Sequence, residues 1–193
     1  VHLINSIHFI MGVKMPASVV ATGGILFRHD GREVPDTLDA LFEYDGFNVN
    51  MASTFNSAST AGQGIQFLGT DAALSLLLGT PTMTLAGESH REGYGYSIDS
   101  WPKALQERFM NEANHREESQ RTASKPEDIQ AADSLDATAL HLLEFFECVR
   151  SRKECTEPAE VGHFAAAAGH MVNLSYRAGN KVLWDAASGT VKS

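Results

Sequence analysis

The chain has 193 residues, a net charge of −9 and 43% hydrophobic residues, a composition that suits one globular domain with a core of its own. An acidic chain without a basic stripe argues against nucleic acid as a partner. Its longest apolar runs, such as residues 72–78, are too short to span a bilayer, so we expect no membrane partner. No export signal is visible, so we expect a cytoplasmic protein, and a signal upstream of Val1 stays an open alternative.

The first predicted element is a helix over residues 1–12, which have a 3.6-residue apolar period and end on Gly12, a residue suited to a C-cap. One side of this helix is apolar and comprises Leu3, Ile4, Ile7, Ile10 and Met11. The other side carries His2, Asn5 and Ser6. The helix starts without a capping residue, and the chain starts without methionine, so we expect it to be part of a longer protein.

The next segments predict strands. Residues 17–29 predict a strand with a bulge at Gly23 and Gly24. Residues 37–44 and 47–56 alternate apolar and polar side chains around Asp45-Gly46, a dipeptide that predicts a hairpin with a type I′ turn. Shorter strands around 65–68, 73–77 and 82–85 complete a predicted sheet over residues 17–86.

The second half of the chain is predicted to be mainly helical. Residues 101–113 predict a helix, and the polar residues 114–133 predict a surface loop, within a loop-and-helix region over 87–133. Helices over 135–150 and 158–179, the C-terminal helices of the region 135–179, are followed by a short extended piece over 181–184. This order predicts an α+β fold, a largely antiparallel open-faced sheet with helices packed on one face.

Three motifs are candidates for a dinucleotide site, a metal site or reactive cysteines. Gly62-Gln63-Gly64 lacks a third glycine and precedes a predicted strand, so it does not predict a dinucleotide site. Glu160, His163 and His170 share a helix, but metal-binding histidine pairs prefer a spacing of four, so structural roles are favoured over metal. The two cysteines, Cys148 and Cys155, are interpreted as reduced thiols near a helix end.

Several segments together resemble a known family. They are, in order, Val1-His2-Leu3-Ile4-Asn5, Gly12, Pro16-Ala17-Ser18-Val19, Pro35-Asp36-Thr37, Phe67-Leu68-Gly69-Thr70, Phe146-Glu147-Cys148-Val149-Arg150-Ser151-Arg152-Lys153, Glu160-Val161-Gly162-His163, His170-Met171-Val172-Asn173, Gly179 and Trp184-Asp185. In this order and spacing, the chain resembles the C-terminal domain of the glucose–fructose oxidoreductase / inositol dehydrogenase (Gfo/Idh/MocA) family. The resemblance implies a dihydrodipicolinate-reductase-like C-terminal domain over 1–193, which serves substrate binding and oligomerisation.

The resemblance also implies a function. Its members transfer a hydride between NAD or NADP and a sugar, cyclitol or related polyol, and an N-terminal Rossmann domain, absent here, binds the dinucleotide. His2 then corresponds to the catalytic acid/base, with Asn5 and Ser6 as substrate-binding neighbours; an imidazole titrates near neutrality and suits proton transfer. The 193-residue chain alone is expected to be inactive and to bind no cofactor, and no metal is expected.

Two further readings and one partner prediction remain open. Asn5 stands where the family has an aspartate, which favours a non-catalytic binding or assembly module with the same fold. A metal-dependent enzyme using Glu160, His163 and His170 is the third reading. The resemblance implies a homo-oligomer formed through the open sheet face, and the sequence agrees, because that face carries short uncharged polar residues that suit a subunit contact: Asn48, Asn50, Thr54 and Asn56.

Overall fold

A computed structural model of the chain describes residues 1–58, 63–69, 72–77, 82–87, 100–111, 127–130 and 136–192. The helices it describes are α1 (His2–Met11), α2 (Lys103–Met110), α3 (Ala137–Ser151) and α4 (Ala159–Ala178). The strands are β1 (Ser18–Gly24), β2 (Thr37–Tyr44), β3 (Phe47–Thr54), β4 (Gly64–Leu68), β5 (Ala72–Leu77), β6 (Thr82–Gly87), β7 (Glu127–Gln130), β8 (Val182–Asp185) and β9 (Thr190–Lys192).

Contacts divide the chain into two compact units, one of Val1–Ala61 with Leu135–Ser193 and one of Gly62–Ser134. The strands predicted as one sheet over 17–86 therefore belong to two sheets, which corrects that prediction. The assignment of 1–193 to one substrate and oligomerisation domain stays a prediction, because a division of contacts does not decide whether the units fold separately.

The larger unit is built on a five-stranded antiparallel sheet in the order β3-β2-β1-β8-β9. Val19 of β1 lies opposite Phe42 of β2 and Val182 of β8, so that alternate side chains of three strands point to one face. Helices α1 and α4 cover that face, where Ile4 and Met171 join the buried cluster. The opposite face is open and exposes Val20, Leu41 and Leu183. This confirms the predicted α+β fold, with an open-faced sheet and helices on one side.

The hairpin of β2 and β3 is where the sequence predicted it, but its turn is not of type I′. Gly46 has a φ of 84°, whereas Asp45 keeps a negative φ, and a type I′ turn needs positive values at both positions. The Tyr44 and Phe47 rings on either side of the turn stack with centroids 4.8 Å apart. The prediction of the hairpin was thus correct in register and wrong in turn type.

Strand β1 ends at Gly24, so the predicted strand over 17–29 is too long and has no bulge. Gly23 and Gly24 stay in register with β2, and a Cβ on Gly23 would come 2.4 Å from the Thr37 carbonyl oxygen. The chain then bends around the buried carboxylate of Asp36, which accepts hydrogen bonds from three successive backbone N–H groups, those of Leu26, Phe27 and Arg28. Burial alone would raise the pKa of Asp36, but these hydrogen bonds outweigh it and hold that pKa well below its usual range.

The smaller unit contains a four-stranded antiparallel sheet in the order β4-β5-β6-β7, and α2. The three strands predicted around 65–68, 73–77 and 82–85 are confirmed as β4, β5 and β6. Strand β7 lies within residues 114–133, which were predicted as a loop; this short polar segment becomes a strand by pairing with β6, with Ile129 opposite Met83. Most of that loop, and the stretch 88–99, lie outside the described residues.

Helices α3 and α4 confirm the two predicted C-terminal helices. Asp136 caps α3 by accepting the Thr138 backbone N–H at 2.9 Å, and α4 ends at Gly179, which has a left-handed φ of 66°. After α4 the chain forms β8, as predicted over 181–184, and then turns into β9, a strand that the sequence did not predict.

Candidate functional site

The three predicted site residues lie together in the first turns of α1. Asn5 and Ser6 follow His2 by three and four positions, a spacing that places them side by side along one face of a helix. The His2 side chain is exposed, whereas Asn5 and Ser6 are half-buried. The Ser6 hydroxyl donates to the His2 backbone carbonyl at 3.1 Å, so its oxygen keeps acceptor capacity while its proton is used inside the helix.

Asn5 connects this turn to a residue that the sequence did not single out. Its side-chain amide donates to both carboxylate oxygens of Glu157 at 3.1 Å, although 152 positions separate the two residues. The amide oxygen of Asn5 is buried and has no hydrogen-bond partner. Glu157 thus brings a carboxylate next to the uncharged Asn5. Because only the fold brings them together, no sequence signal identified Glu157.

A second polar pair links the end of α1 to the start of α4. The Lys14 ammonium lies 3.0 Å from a carboxylate oxygen of Glu160 and 5.4 Å from the centroid of the Phe164 ring. Glu160 is in the first turn of α4, where a negative charge suits the helix dipole. Glu160 is therefore engaged with lysine, and within the described ranges no three His, Cys, Asp or Glu side chains are arranged to hold a metal ion.

Beneath the predicted site, His8 occupies the buried side of α1. Its Nε2 lies 2.8 Å from the Tyr44 hydroxyl, and its Nδ1 has no partner. Burial lowers the pKa of His8 and raises the pKa of Tyr44, which favours the neutral form of each. Because a buried N–H without a partner costs more than a buried lone pair, we assign the proton of His8 to Nε2, from where it donates to Tyr44.

The residues that α1 buries differ from the apolar side predicted for it. Ile4, Ile7 and His8 are buried, while Leu3, Ile10 and Met11 are exposed. The helical period correctly identified a helix, but His8 occupies a position that the sequence assigned to neither face. A residue four positions after Ile4 belongs on the same stripe, and this spacing was the signal that could have found it.

The described part of the glycine segment 62–64 does not have the geometry of a pyrophosphate site. Gly64, the last glycine of Gly62-Gln63-Gly64, begins strand β4, whereas a pyrophosphate site needs a glycine turn that opens a helix. Gly62 itself lies outside the described residues. The strand predicted after this segment is observed as β4, and the absence of a dinucleotide site stays a prediction.

No protein-family model matches the chain, and no curated protein matches it either. Solved structures do match. A protein from Thermotoga maritima assigned as an oxidoreductase matches with a TM-score of 0.64 at 16% identity, over 94% of this chain and 44% of that one. The UDP-N-acetylglucosamine 3-dehydrogenase GnnA from Acidithiobacillus ferrooxidans matches with a TM-score of 0.61 at 14% identity, over 92% of this chain and 45% of that one.

The WlbA dehydrogenase from Bordetella pertussis, solved with NADH and UDP-GlcNAcA, matches with a TM-score of 0.52 at 14% identity, over 95% of this chain and 44% of that one. The chain shares its fold with part of these structures, which are Gfo/Idh/MocA-type oxidoreductases. The resemblance seen in the sequence is confirmed at the level of fold, and the chain spans less than half the length of these three structures.

None of the described helices is long and apolar enough to cross a membrane. The longest, α4, has 20 residues, but its buried positions pack against the sheet.

Proposed function

We propose that this chain is the substrate-binding and oligomerisation domain of an NAD- or NADP-dependent oxidoreductase that acts on a carbohydrate-like substrate in the cytoplasm. The observation that carries the proposal is the match, over more than nine-tenths of the chain, to a UDP-N-acetylglucosamine 3-dehydrogenase and to a dehydrogenase solved with NADH and UDP-GlcNAcA. We therefore include sugar nucleotides with free sugars, cyclitols and polyols as candidate substrates. Glycine-loop and dinucleotide-binding residues would then belong to a part of the protein outside this chain.

In this proposal His2 acts as the acid/base. Its exposed imidazole takes the proton of a substrate hydroxyl when that carbon is oxidised and returns it in the reverse direction. The Ser6 oxygen accepts a hydrogen bond from a neighbouring substrate hydroxyl. Asn5 positions the substrate, and the contact with Glu157 fixes the orientation of its amide.

The open face of the five-stranded sheet is the proposed contact between subunits. Its exposed apolar residues are Val20, which is paired with Leu41, and Leu183, which is opposite Ser18 and so diagonal to Val20 on the same face. An exposed apolar stripe on a sheet suits burial against another sheet. A solution mass twice or four times that of the subunit is expected, and a monomer would contradict this part of the proposal.

The chemistry of Asn5 favours a second candidate function, that of a module without redox activity. The Asn5 amide cannot hold a negative charge, and its Nδ2 is already bonded to Glu157, which favours a module that binds a carbohydrate or assembles subunits without redox chemistry. The two functions differ in one measurable property. A dehydrogenase reduces its dinucleotide in the presence of substrate, whereas a binding module holds the carbohydrate and leaves the dinucleotide unchanged.

The test uses the natural gene product that contains this chain, purified and mixed with NAD or NADP and a panel of UDP-sugars, free sugars, cyclitols and polyols. We expect nicotinamide reduction, followed by absorbance, with at least one member of the panel. Carbohydrate binding without reduction would support the second function and overturn the first. The 193-residue chain, tested in parallel, is expected to bind neither NADH nor NADPH at micromolar concentration.

A further inference from the structure

The C-terminal end of α3 folds back on itself. The helix ends at Arg152, which adopts a left-handed conformation with a φ of 59° and donates its backbone N–H to the Cys148 carbonyl at 2.9 Å. Four residues later, the backbone N–H of Thr156 donates to a carboxylate oxygen of Glu144 at 2.7 Å. The segment 152–156 therefore runs back along the last turns of α3.

This reversal brings the two cysteines together. Glu144 and Cys148 are one turn apart and share a face of α3, and Thr156, bonded to Glu144, directly follows Cys155. Cys155 therefore lies beside Cys148, and both residues are half-buried. The neighbouring Cys155 thiol, then burial and the carboxylates of Glu144 and Glu147, raise the pKa of Cys148 to about 11.

The same segment continues into the candidate site. Glu157, which accepts the Asn5 amide, is two residues after Cys155 and directly precedes Pro158, the N-cap of α4. Only Thr156 therefore separates Cys155 from the residue whose carboxylate accepts the Asn5 amide. Sequence analysis interpreted the cysteines as two reduced thiols near a helix end, and their mutual contact was not visible from their spacing.

We propose that Cys148 and Cys155 form a reversible disulfide that changes how Glu157 is held against Asn5. The oxidant is a small-molecule disulfide such as oxidised glutathione. The regulatory consequence for the site rests on the function proposed above, whereas the disulfide itself does not.

The reaction proceeds in two exchanges. The Cys155 sulfur, as thiolate, attacks one sulfur of oxidised glutathione and releases one glutathione thiolate, which takes up a proton; a mixed disulfide remains on Cys155. The Cys148 thiol then gives its proton to water, attacks the Cys155 sulfur and releases the second glutathione. The protein loses two electrons and two protons, and one oxidised glutathione becomes two reduced molecules.

The first test incubates the whole chain with an excess of oxidised glutathione and follows its mass and peptide map. We expect the loss of two hydrogens and a linked peptide that joins Cys148 to Cys155, both reversed by dithiothreitol. The Cys148→Ser variant should stop at a stable glutathione adduct on Cys155. The Cys155→Ser variant should stop in the same way at an adduct on Cys148. A chain that stays reduced or that dimerises through its cysteines would overturn the proposal.

The second test follows the side-chain amide of Asn5 by NMR in a chain labelled at asparagine nitrogen, with the signal assigned by its loss in Asn5→Gln. Oxidation is expected to shift this signal in the wild type and leave it unchanged in a double variant, Cys148→Ser with Cys155→Ser, which can form neither the disulfide nor a glutathione adduct. The amide of Asn50, on the outer face of the sheet, is the internal reference. A disulfide that forms without moving the Asn5 signal would overturn the coupling. Neither test measures enzyme activity, so their failure is distinguishable from failure of the proposed function.

Discussion

Helices α3 and α4 have the same kind of sequence and opposite surroundings. Both show apolar residues at helical spacing, and both end on a residue with left-handed φ, Arg152 in α3 and Gly179 in α4. On α4 the stripe is buried, with Ala168 and Met171 both at 0% exposure, whereas on α3 Leu143 is 62% exposed. The other apolar positions of α3 are exposed as well: Leu140, Leu142, Phe145, Phe146 and Val149.

The difference teaches what an apolar period specifies. It specifies that a helix forms and which of its faces is apolar, but the partner that covers this face is a property of the whole fold. On α4 the sheet is that partner, since the helix packs along β1 and contacts β8. The energetic consequence is that matched substitutions on the two helices should have very different effects.

The largest expected effect comes from truncating the apolar stripe of α4. Met171→Ala should lower the free energy of unfolding by about 2–5 kcal/mol, because it removes buried methylenes and leaves a cavity. Leu143→Ala on α3 is the matched control and should change it by less than about 0.5 kcal/mol. Urea unfolding of both variants measures these two changes in the free energy of unfolding, provided that the m-values are equal. Equal losses would mean that α3 is covered in solution as fully as α4.

The next effect concerns a serine on each helix. The buried Ser175 hydroxyl accepts the Ala21 backbone N–H at 2.9 Å and donates to the Asn180 carbonyl at 2.6 Å, so it joins α4 to β1 and to the turn before β8. Ser175→Ala should cost about 1–3 kcal/mol, since both partners lose their hydrogen bond.

Ser151 is the matched serine on α3, where its exposed hydroxyl donates to the Glu147 carbonyl of the same helix at 2.7 Å. Water can replace that bond, so Ser151→Ala should stay within about 0.5 kcal/mol of the wild type in the same urea experiment. A larger cost for Ser151 than for Ser175 would contradict the burial assigned to the two helices.

The smallest effect is a pH dependence from His8. Burial lowers the pKa of His8 in the folded chain, so as pH falls through about 6.5 the unfolded chain binds a proton that the folded chain does not. The free energy of unfolding should therefore fall by up to about 1 kcal/mol between pH 7.5 and 5.5. His8→Gln should lack this part of the fall, and His141→Gln, at an exposed position of α3, should retain it. Parallel pH profiles for His8→Gln and the wild type would show that His8 is not the group responsible.

Local patterns in the sequence predicted most of the larger unit. The β2–β3 hairpin follows from strict alternation around Asp45-Gly46, and α1 and α4 follow from apolar periods that stop at a glycine. Their end points were less accurate: β1 stops at Gly24 because residues 26–28 donate to Asp36, and a contact with a side chain further along the chain has no local signal.

Long-range features were missed for the same reason. Strand β7 has no apolar alternation and exists through its pairing with β6. The division of the strands into two sheets, one of which includes β8 from the far end of the chain, is likewise a matter of long-range pairing. At the candidate site, the first turn of α1 could be identified from the family resemblance. Glu157 could not, because its contact with Asn5 arises from packing between α1 and the start of α4.

The most direct test of the proposed function is the effect of His2→Gln on kcat in the natural gene product, measured with the dinucleotide and substrate found in the panel. If His2 is the acid/base, kcat should fall about 10²–10⁴-fold while the melting temperature stays unchanged, since the imidazole is exposed. His170→Gln, an exposed histidine on α4, is the control and should keep wild-type kcat. A His2→Gln enzyme within about twofold of the wild type would contradict the assignment of His2.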